Sequence, residues 1–500
     1  MRRSDSTANS PEDVKERIEI FLLGLSHPIL TEPEKQVIDL SSSNYSLSTE
    51  YHKLLWHVWN DDINFVRQIT AIQKESPGRM ELRFQKFGKG PPGTLILAES
   101  RAGTEQLERR SARARYAQLL KQFLAQLFPE WKIEALSPEP DLKHSLSGCY
   151  TRGMLVRGQR AWAIIGVGER EDPHTADSIL TFGLIWLDVL RRRETGRVFE
   201  GLKIFVPSGS AATTLQRIAW MDSKIGQWEV YETGDQLRRC DLADVGNLKT
   251  FLPPAGGASI LSPAFQSWIE LIKALDPNIE THLISETFRV LTFRGLPFAK
   301  ATDKGLVFGV GRAETPLRDS NFHELKRLIE KLRRIRSPQS QDRLHPYYRL
   351  QPEKWMQSLL IRQIGILGYD LIPDALYEQV PALSGTERGL MDLLAVTSQG
   401  RLVVVEFKAS EDIHLPLQAL DYWMRVHWHQ RRGELERHGY FPHRALSSQE
   451  PLLLLVSPAL QFHSTCETIL RYFSPDVEVI RVGFNEGWRE GLQVIFRMGR

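Results

Sequence analysis

Cysteine is scarce in this 500-residue sequence, and its scarcity excludes two classes of protein. The three cysteines, Cys149, Cys240 and Cys466, stand far apart along the chain. They offer neither the paired spacing of a zinc site nor the dense framework of a small disulfide-stapled domain. Isolated cysteines of this kind fit a reducing compartment, and we expect the protein to be cytoplasmic.

Long apolar runs are missing as well. The strongest run, residues 179–187, is much shorter than the roughly 20 residues that a membrane-spanning helix needs. We therefore predict a buried helix there and expect no membrane partner. The residues that follow Met1 are basic and polar where a secretory signal would be apolar, so no targeting segment is expected.

The chain also lacks a strong excess of charge of either sign. Its formal net charge is only +3, so any affinity for nucleic acid has to come from local clusters. One such cluster stands ahead of the last third of the chain and contains the predicted nucleic-acid-binding residues Lys331, Arg333, Arg334 and Arg336. A solvated helix face is the alternative interpretation.

Against this background, two acids stand out because their surroundings are apolar. Asp392 lies within the strand-like segment 391–396, and Glu406 follows the apolar run 402–405, with a turn predicted between them. Buried strands exclude unpaired charges, which favours a bound ligand at this hairpin. The alternative is a solvated ion pair between Glu406 and Lys408.

The residue types suit a metal-dependent phosphodiesterase. A hard divalent cation such as Mg²⁺ or Mn²⁺ takes oxygen ligands and keeps several waters, so Asp392, Glu406 and the backbone carbonyl of Phe407 are predicted to hold it. Such a cation activates water and offsets charge on a phosphate. Because side chains alternate along a strand, Lys408 shares the face of Glu406 and is predicted to be the catalytic base or to bind the phosphate.

Further residues in the region complete a known motif. Gln418 and Tyr422 are four residues apart in a predicted helix and so share one face, and Glu353 stands at the start of an earlier predicted helix. A strand acid, a Glu-x-Lys strand and a Gln-x-x-x-Tyr helix in this order resemble the RecB-type branch of the PD-(D/E)XK, or restriction-endonuclease-like, nuclease superfamily. The resemblance covers roughly residues 345–500. Asp392 departs from the motif in following a methionine and not a proline.

The resemblance implies roles for the three added residues and a mixed central sheet flanked by helices. Glu353 would support the metal site, Gln418 would position the nucleophile or the lysine, and Tyr422 would contact the nucleic-acid strand. From the residues alone, a carboxylate facing the helix macrodipole also accounts for Glu353, and a packed amphipathic face also accounts for Tyr422.

The chain looks duplicated, because residues 152–168 repeat the pattern of residues 388–408 between similar helices. In the first copy, Val156, Gly166 and Gly168 are predicted to stand where the second copy has its two acids and its lysine. That copy would hold no metal and would serve as a scaffold, a dimer-like partner or a substrate surface. Ahead of the second copy, residues 288–293 are predicted to pair with residues 305–310.

The predicted fold is α/β throughout, in four modules. They are a mixed N-terminal module at 1–100, a degenerate nuclease-like domain without metal ligands at 101–250, a strand-plus-helix module with a basic linker at 251–340, and a PD-(D/E)XK nuclease domain at 341–500.

The leading functional hypothesis is Mg²⁺-dependent hydrolysis of DNA phosphodiester bonds, by endo- or exonuclease action, in DNA repair or defence. The alternatives are an RNase and a non-catalytic nucleic-acid-binding or assembly protein with a nuclease-like fold. A homodimer or a protein partner through the N-terminal half stays open.

Overall fold

The computed structural model describes residues 10–25, 28–32, 37–40, 43–50, 53–59, 64–76, 78–85, 92–99, 102–234, 237–243, 250–255, 261–311, 314–384 and 387–499. The chain divides into two compact units, Met1–Tyr116 and Ala117–Arg500. In the described residues it is a mixed α/β protein with four β-sheets and 12 α-helices. None of these helices is long and apolar enough to cross a membrane.

The first unit contains a seven-stranded antiparallel sheet. Helix α1 (Pro11–Leu23) begins with a capping box between Ser10 and Asp13, and it packs Val14 and Ile18 into the core of the sheet. In the order β2-β1-β7-β6-β5-β4-β3, the sheet contains β1 (Pro28–Thr31), β2 (Val37–Asp39), β3 (Asn44–Glu50), β4 (Lys53–Trp59), β5 (Asn64–Ser76), β6 (Arg79–Gln85) and β7 (Gly93–Glu99). Helix α2 (Ala102–Leu127) follows.

The second sheet has six strands in chain order: β8 (Lys132–Ser137), β9 (Tyr150–Arg157), β10 (Arg160–Val167), β11 (Val198–Pro207), β12 (Gln227–Thr233) and β13 (Arg238–Arg239). Helices α3 (Pro173–Asp177) and α4 (Ile179–Arg193) connect β10 to β11, and α5 (Ala212–Ile218) connects β11 to β12. Residues 179–187 are all buried within α4, which confirms the predicted buried helix. We call this sheet with α3, α4 and α5 the first copy.

The third module is a five-stranded antiparallel sheet in chain order, with helices α6 (Pro263–Lys273) and α7 (Phe322–Ile335). Its strands are β14 (Ile279–Ser285), β15 (Phe288–Phe293), β16 (Leu296–Thr302), β17 (Gly305–Phe308) and β18 (Thr315–Pro316). The predicted pairing of residues 288–293 with residues 305–310 is wrong, because β16 lies between β15 and β17. Pro297 cannot donate a backbone hydrogen bond to a neighbouring strand, so the sequence around it does not predict β16.

The fourth sheet again has six strands in chain order: β19 (Leu371–Ser384), β20 (Glu387–Thr397), β21 (Leu402–Phe407), β22 (Leu452–Pro458), β23 (Val479–Phe484) and β24 (Val494–Gly499). Helices α8 (Pro346–Arg349) and α9 (Pro352–Ile361) precede it, α10 (Leu415–Arg431) and α11 (Glu434–Arg437) connect β21 to β22, and α12 (Cys466–Leu470) connects β22 to β23. We call this sheet with α9, α10 and α12 the second copy.

The two copies have the same topology. In each, the first three strands are antiparallel, the next two pairings are parallel, and the last strand returns antiparallel. A long helix crosses between the third and fourth strands of each sheet, as parallel pairing requires. The structure therefore shows one strand-and-helix arrangement twice, as the duplicated pattern in the sequence predicts.

The fourth sheet is covered on both faces, and alternate residues of its central hairpin enter different cores. One core is shared with the first copy and takes Leu394, Val396, Leu402 and Val404. The other lies under α9 and takes Leu393, Ala395, Val403, Val405 and Phe407. By the same alternation, Glu406 lies on the face of the sheet that packs against α10 and forms the core shared with the first copy.

The two copies meet about a local two-fold axis. Helix α4 of the first copy contacts α12 of the second, and the equivalent pair, α10 and α5, is also in contact. The loops after α5 and α12 exchange hydrogen bonds: Asp222 N donates to Tyr472 O at 2.8 Å, and Ser474 N donates to Trp220 O at 2.7 Å. Reciprocal contacts of this kind are typical of an isologous dimer interface. Here both halves belong to one chain.

A buried ion pair crosses this interface, and we expect its rupture to be costly. Arg217 on α5 is 8% exposed and donates to both carboxylate oxygens of Asp421 on α10, at 2.9 and 2.7 Å. Asp421→Ala leaves a buried guanidinium without its counter-ion and should lower the free energy of unfolding by about 3–5 kcal/mol. Denaturant unfolding of the full chain measures this change.

The matched control is Glu270→Ala, which removes the solvated partner of Lys273 and should cost less than about 1 kcal/mol. Equal losses in the two variants would show that the interface pair contributes no more than a surface pair.

Candidate functional site

The central hairpin brings the two predicted acids together at the end of the pairing between β20 and β21 that lies away from the turn. Leu393 pairs with Val405 across β20 and β21, and Asp392 and Glu406 are the next residues beyond this pair. The backbone N–H of Phe407 donates to Asp392 Oδ2 at 3.0 Å, which fastens the first acid to the strand that carries the second.

Glu406 is the more buried of the two acids. Its side chain is 3% exposed, and its Oε2 atom is buried without a hydrogen-bond partner in the described part of the chain. Burial raises the pKa of Glu406 well above the ordinary value, and the neighbouring Asp392 raises it further. Without a cation, the protonated form of Glu406 is favoured.

Polar side chains that the sequence motif does not include surround Asp392. Lys354 Nζ lies 3.3 Å from Asp392 Oδ1, and Gln357 Nε2 donates to the backbone oxygen of Asp392 at 3.1 Å. Gln379 Nε2 donates to Oδ1 at 3.4 Å from the neighbouring strand β19, where Gln379 has a left-handed φ of +51°. Lys354 and Gln357 lie on α9, and Glu378 accepts from Gln357 at 3.2 Å.

Lys408 is held as a charged ammonium. Its Nζ atom lies 3.0 Å from Asp412 Oδ2 in the loop that leads to α10. Burial alone would lower the pKa of Lys408, but Asp412, with Glu406 and Asp392, outweighs it and raises the pKa. In this arrangement Lys408 is a hydrogen-bond donor, and its role as the catalytic base stays a prediction.

The residues that the resemblance adds lie nearby but not all in one cluster. Glu353 Oε1 accepts from the backbone N–H of Ala409 at 3.3 Å, so it braces the loop after Lys408. Gln418 Nε2 donates to the hydroxyl oxygen of Tyr422 at 3.3 Å on α10. Tyr422 is only 7% exposed, which places it in a wall of the site and away from the protein surface.

The acid pair fits a divalent cation by the chemistry of its donors. Among the described residues, no group of three or more His, Cys, Asp or Glu side chains could hold a metal ion, so Asp392 and Glu406 would be the only carboxylates. Mg²⁺ is commonly bound through one or two carboxylates and keeps several waters. The unpartnered Glu406 Oε2 is an oxygen for which such a cation would supply the missing charge. The Phe407 side chain is in the core beneath α9, so only its carbonyl could take part.

The basic cluster on α7 is less available than its sequence predicts. Arg336 is fully buried, and its guanidinium donates to the backbone oxygens of residues 294, 347, 350 and 351, so its predicted nucleic-acid contact is wrong. Arg333 pairs with Asp276 at 2.7 Å. Lys331 and Arg334 are exposed, and they remain candidates for contact with a phosphate backbone.

The first copy lacks the acids, although not in the predicted register. Val156 pairs with Ala161 beside the hairpin turn, whereas Asp392 lies at the far end of the equivalent pairing, next to the Leu393–Val405 pair. Ile165 and Val167 face the shared core on β10, so Gly166 alternates to the other face. Apolar side chains therefore occupy the end of β10 on the face where the second copy has Glu406.

Five residues of the site do not belong to the sequence motif and are not predicted from it: Lys354, Gln357, Glu378, Gln379 and Asp412. Two of them had a signal in the sequence. Asp412 stands four residues after Lys408, and Gln357 stands four residues after Glu353 on one helical face. The cross-strand contact that brings in Gln379 is a tertiary feature and leaves no such spacing.

Comparison with known proteins gives no family for this chain. No protein-family model matches it, and no curated protein is significantly similar to it in sequence.

Proposed function

We propose that the protein is a metal-dependent nuclease with DNA as its substrate, and that the second copy is a restriction-endonuclease-like domain. One observation carries the proposal: two acids share a buried strand end, and the more buried one, Glu406, has a carboxylate oxygen without a partner in the described part of the chain. A buried, like-charged pair destabilises a fold unless a cation compensates it. An RNase would present the same acids, so the choice of DNA belongs to the proposal and to its test.

The residues around the acid pair have separable tasks. Asp392 and Glu406 would hold Mg²⁺ or Mn²⁺, which when bound supplies an activated water and positive charge beside the phosphate. Lys408 donates hydrogen bonds from the same strand end and would bind a phosphate oxygen or orient the water. Lys354, paired with Asp392, supplies positive charge until the cation binds.

The reciprocal arrangement of the two copies predicts how many strands of a DNA duplex are cut. A symmetric dimeric nuclease presents two active sites, one for each strand, but here only the second copy carries the acids. The internal contact between copies also takes the place of a second chain, so the proposal does not require a homodimer. We infer that one binding event cuts one strand.

The decisive assay incubates the full-length protein with supercoiled plasmid and with linear single- and double-stranded DNA and RNA. Each substrate is tested with Mg²⁺, with Mn²⁺ and with EDTA. Metal-dependent accumulation of nicked circles ahead of linear plasmid supports the proposal. Equal loss of plasmid in EDTA, or cleavage of none of the substrates, contradicts it.

Asp412 is expected to act as a positioning residue through Lys408. Asp412→Asn removes the ion pair, lets the lysine side chain leave the strand end, and should lower the cleavage rate about 10- to 100-fold. The variant keeps both acids, so the stabilisation by Mg²⁺ should remain. Single-turnover cleavage and thermal melting measure the two effects.

Asp412→Glu restores the carboxylate and should recover part of the rate. A variant that loses rate and metal stabilisation together would instead place Asp412 in the metal site.

A further inference from the structure

The loop between β23 and β24 carries an arginine that packs against three aromatic rings. The guanidinium carbon of Arg489 lies 4.0 Å from the centre of the Trp488 ring, and 5.1 and 5.2 Å from those of Tyr348 and Trp355. Stacking of this kind uses the face of the guanidinium and leaves the N–H groups at its edge free to donate. The rings therefore hold Arg489 in place as a preorganised donor.

The terminal nitrogens of Arg489 can be reached by a ligand. The residue is half-buried, and of its three nitrogens only Nε is buried without a partner. Nη1 and Nη2 make no hydrogen bond in the described part of the chain, and they are not among its buried atoms without a partner, so both keep accessible surface. Two such nitrogens match two oxygens of one anion.

Positive charge is concentrated around Trp355. The guanidiniums of Arg294 and Arg336 lie 5.9 and 4.7 Å from the centre of its ring, and both donate to backbone oxygens. Asp276, the acid whose charge acts on Arg294, already pairs with a residue of α7. Together with Arg489, three guanidiniums surround one indole ring, and in the described ranges none of them forms an ion pair with a carboxylate.

The acids nearest to Arg489 have other partners. Glu490 pairs with Arg343 at 2.8 Å, and Glu486 accepts a backbone hydrogen bond at 2.8 Å. Glu353 accepts a backbone hydrogen bond from the loop after β21, and its charge acts on Arg489 from beyond ion-pair distance. Burial lowers the pKa of Arg489, and Arg343 lowers it further. Because a guanidinium keeps its proton in proteins, a bound anion would supply the missing counter-charge.

Arg489 lies at the edge of the sheet where the candidate site is. Strands β21, β22 and β23 are parallel, so the loops after β21 and β23 leave the sheet at the same edge. The start of α9 links the two places: Glu353 contacts the loop after β21, and Lys354 lies 3.3 Å from Asp392. Trp355, the next residue, lies against Arg489. A nucleic-acid strand at the acid pair would therefore pass close to Arg489.

We propose that Arg489 binds a backbone phosphate of the nucleic-acid strand that lies in the acid-pair site. The inference rests on the proposed function for the identity of the strand, because the guanidinium fork fits any phosphate. Strands β21 and β23 are separated by one strand, or about 10 Å. The bound phosphate should therefore not be the one that is cut, but one a few positions along the strand.

The first test measures binding without cleavage. Full-length protein in EDTA is titrated into fluorescently labelled single- and double-stranded DNA at several salt concentrations, and anisotropy reports the affinity. Arg489→Gln should weaken binding about tenfold, because it removes a charge-assisted hydrogen-bonding group. It should also lower the logarithmic salt slope by about 0.7 to 0.9, the contribution of one phosphate. Arg489→Lys keeps the charge but not the fork, so it should keep the slope and lose part of the affinity.

Arg432→Gln is the matched control. Arg432 also lies 4.0 Å from the centre of a tryptophan ring, that of Trp428. It follows the last residue of α10, whose 17 residues separate it by about 25 Å from the start of that helix and from the candidate site. Its loss should change neither affinity nor slope.

Wild-type affinity and slope in Arg489→Gln would overturn the proposal and leave Arg489 as a cover for Trp355. Thermal melting shows whether each variant is folded. Should Arg489→Gln be unfolded, Arg489→Lys decides the question, and wild-type affinity in that variant would overturn the proposal.

The second test locates the phosphate. Oligonucleotides in which one neutral methylphosphonate replaces one phosphate, moved stepwise along the strand, are bound by wild type and by Arg489→Gln in EDTA. We expect wild type to lose about tenfold in affinity at one position, and the variant to lose nothing further at that position. A third titration, with inorganic phosphate alone, tests whether a free anion binds to wild type and not to the variant.

The outcomes separate the proposals. Binding of inorganic phosphate that depends on Arg489, together with a scan in which wild type and variant agree at every position, would assign the arginine to a free anion and overturn the strand assignment. A position that depends on Arg489, without metal-dependent cleavage in any assay, would keep the phosphate contact and reject the nuclease. Metal-dependent cleavage with an unchanged salt slope in Arg489→Gln would keep the nuclease and reject the contact.

Discussion

Glu406→Gln is expected to lower metal-dependent cleavage by about 1,000-fold, because charge stabilisation at the phosphate by a bound cation is worth several kcal/mol and each 1.4 kcal/mol is a factor of ten in rate. Gln keeps the shape of the side chain but removes one of the two carboxylates of the site. Single-turnover assays with Mg²⁺ and with Mn²⁺ measure the loss. Asp392→Asn should behave in the same way.

Folding and activity should respond in opposite directions. Without metal, Glu406→Gln removes one member of a buried acid pair, so the variant should melt at a higher temperature than wild type even though it is inactive. Glu411→Gln is the matched control, because Glu411 is an exposed acid in the loop after the same strand and its loss should change neither rate nor melting temperature. Wild-type activity in Glu406→Gln would favour the non-catalytic alternative.

Local sequence patterns predict the elements of the site because the relevant signals lie within a few residues of each other. The turn between two apolar runs predicts the β20–β21 hairpin, and Pro416 in the first turn of α10 predicts the start of that helix. Strand alternation alone puts Glu406 and Phe407 on opposite faces, and the structure sends Phe407 into the core beneath α9.

The contacts that decide the chemistry come from further away. The partners of Asp392 are supplied by a helix some 40 residues earlier and by the neighbouring strand β19, and neither can be found from spacing. For Arg336, the sequence predicts a contact at the surface, but the side chain is buried. Its guanidinium donates to backbone oxygens that all lie outside α7, but in the sequence it looks like one more surface cation of a basic cluster.

The same acid pair predicts how stability depends on pH when metal is removed. The pKa of Glu406 is raised in the folded protein, first by burial and then by Asp392, above the ordinary value of 4.5. Between 4.5 and the raised value, the folded state binds more protons than the unfolded state, so stability falls as pH rises. The contribution of Glu406 is therefore fully present below pH 4.5 and is lost as pH rises through its folded pKa.

The difference between wild type and Glu406→Gln isolates this group from Glu280 and Glu378, whose pKa values burial also raises. In EDTA, the advantage of the variant in free energy of unfolding should be near zero at pH 4.5 and should grow to roughly 1–3 kcal/mol at pH 8, the cost of an unsatisfied buried group. Chemical denaturation across this range measures it, and an advantage independent of pH would show that Glu406 is not the titrating group.

Added metal should reverse the trend, because a cation competes with the proton for the same carboxylates. At about 100 times its dissociation constant, Mg²⁺ should stabilise wild type by roughly 2.7 kcal/mol at pH 8. At pH 5 protonation of Glu406 competes more strongly with the cation and the gain should be smaller, and in Glu406→Gln it should be small at both pH values. A gain from Mg²⁺ that is equal in wild type and variant would place the cation elsewhere, and the acid pair would then be a polar cluster that binds no metal.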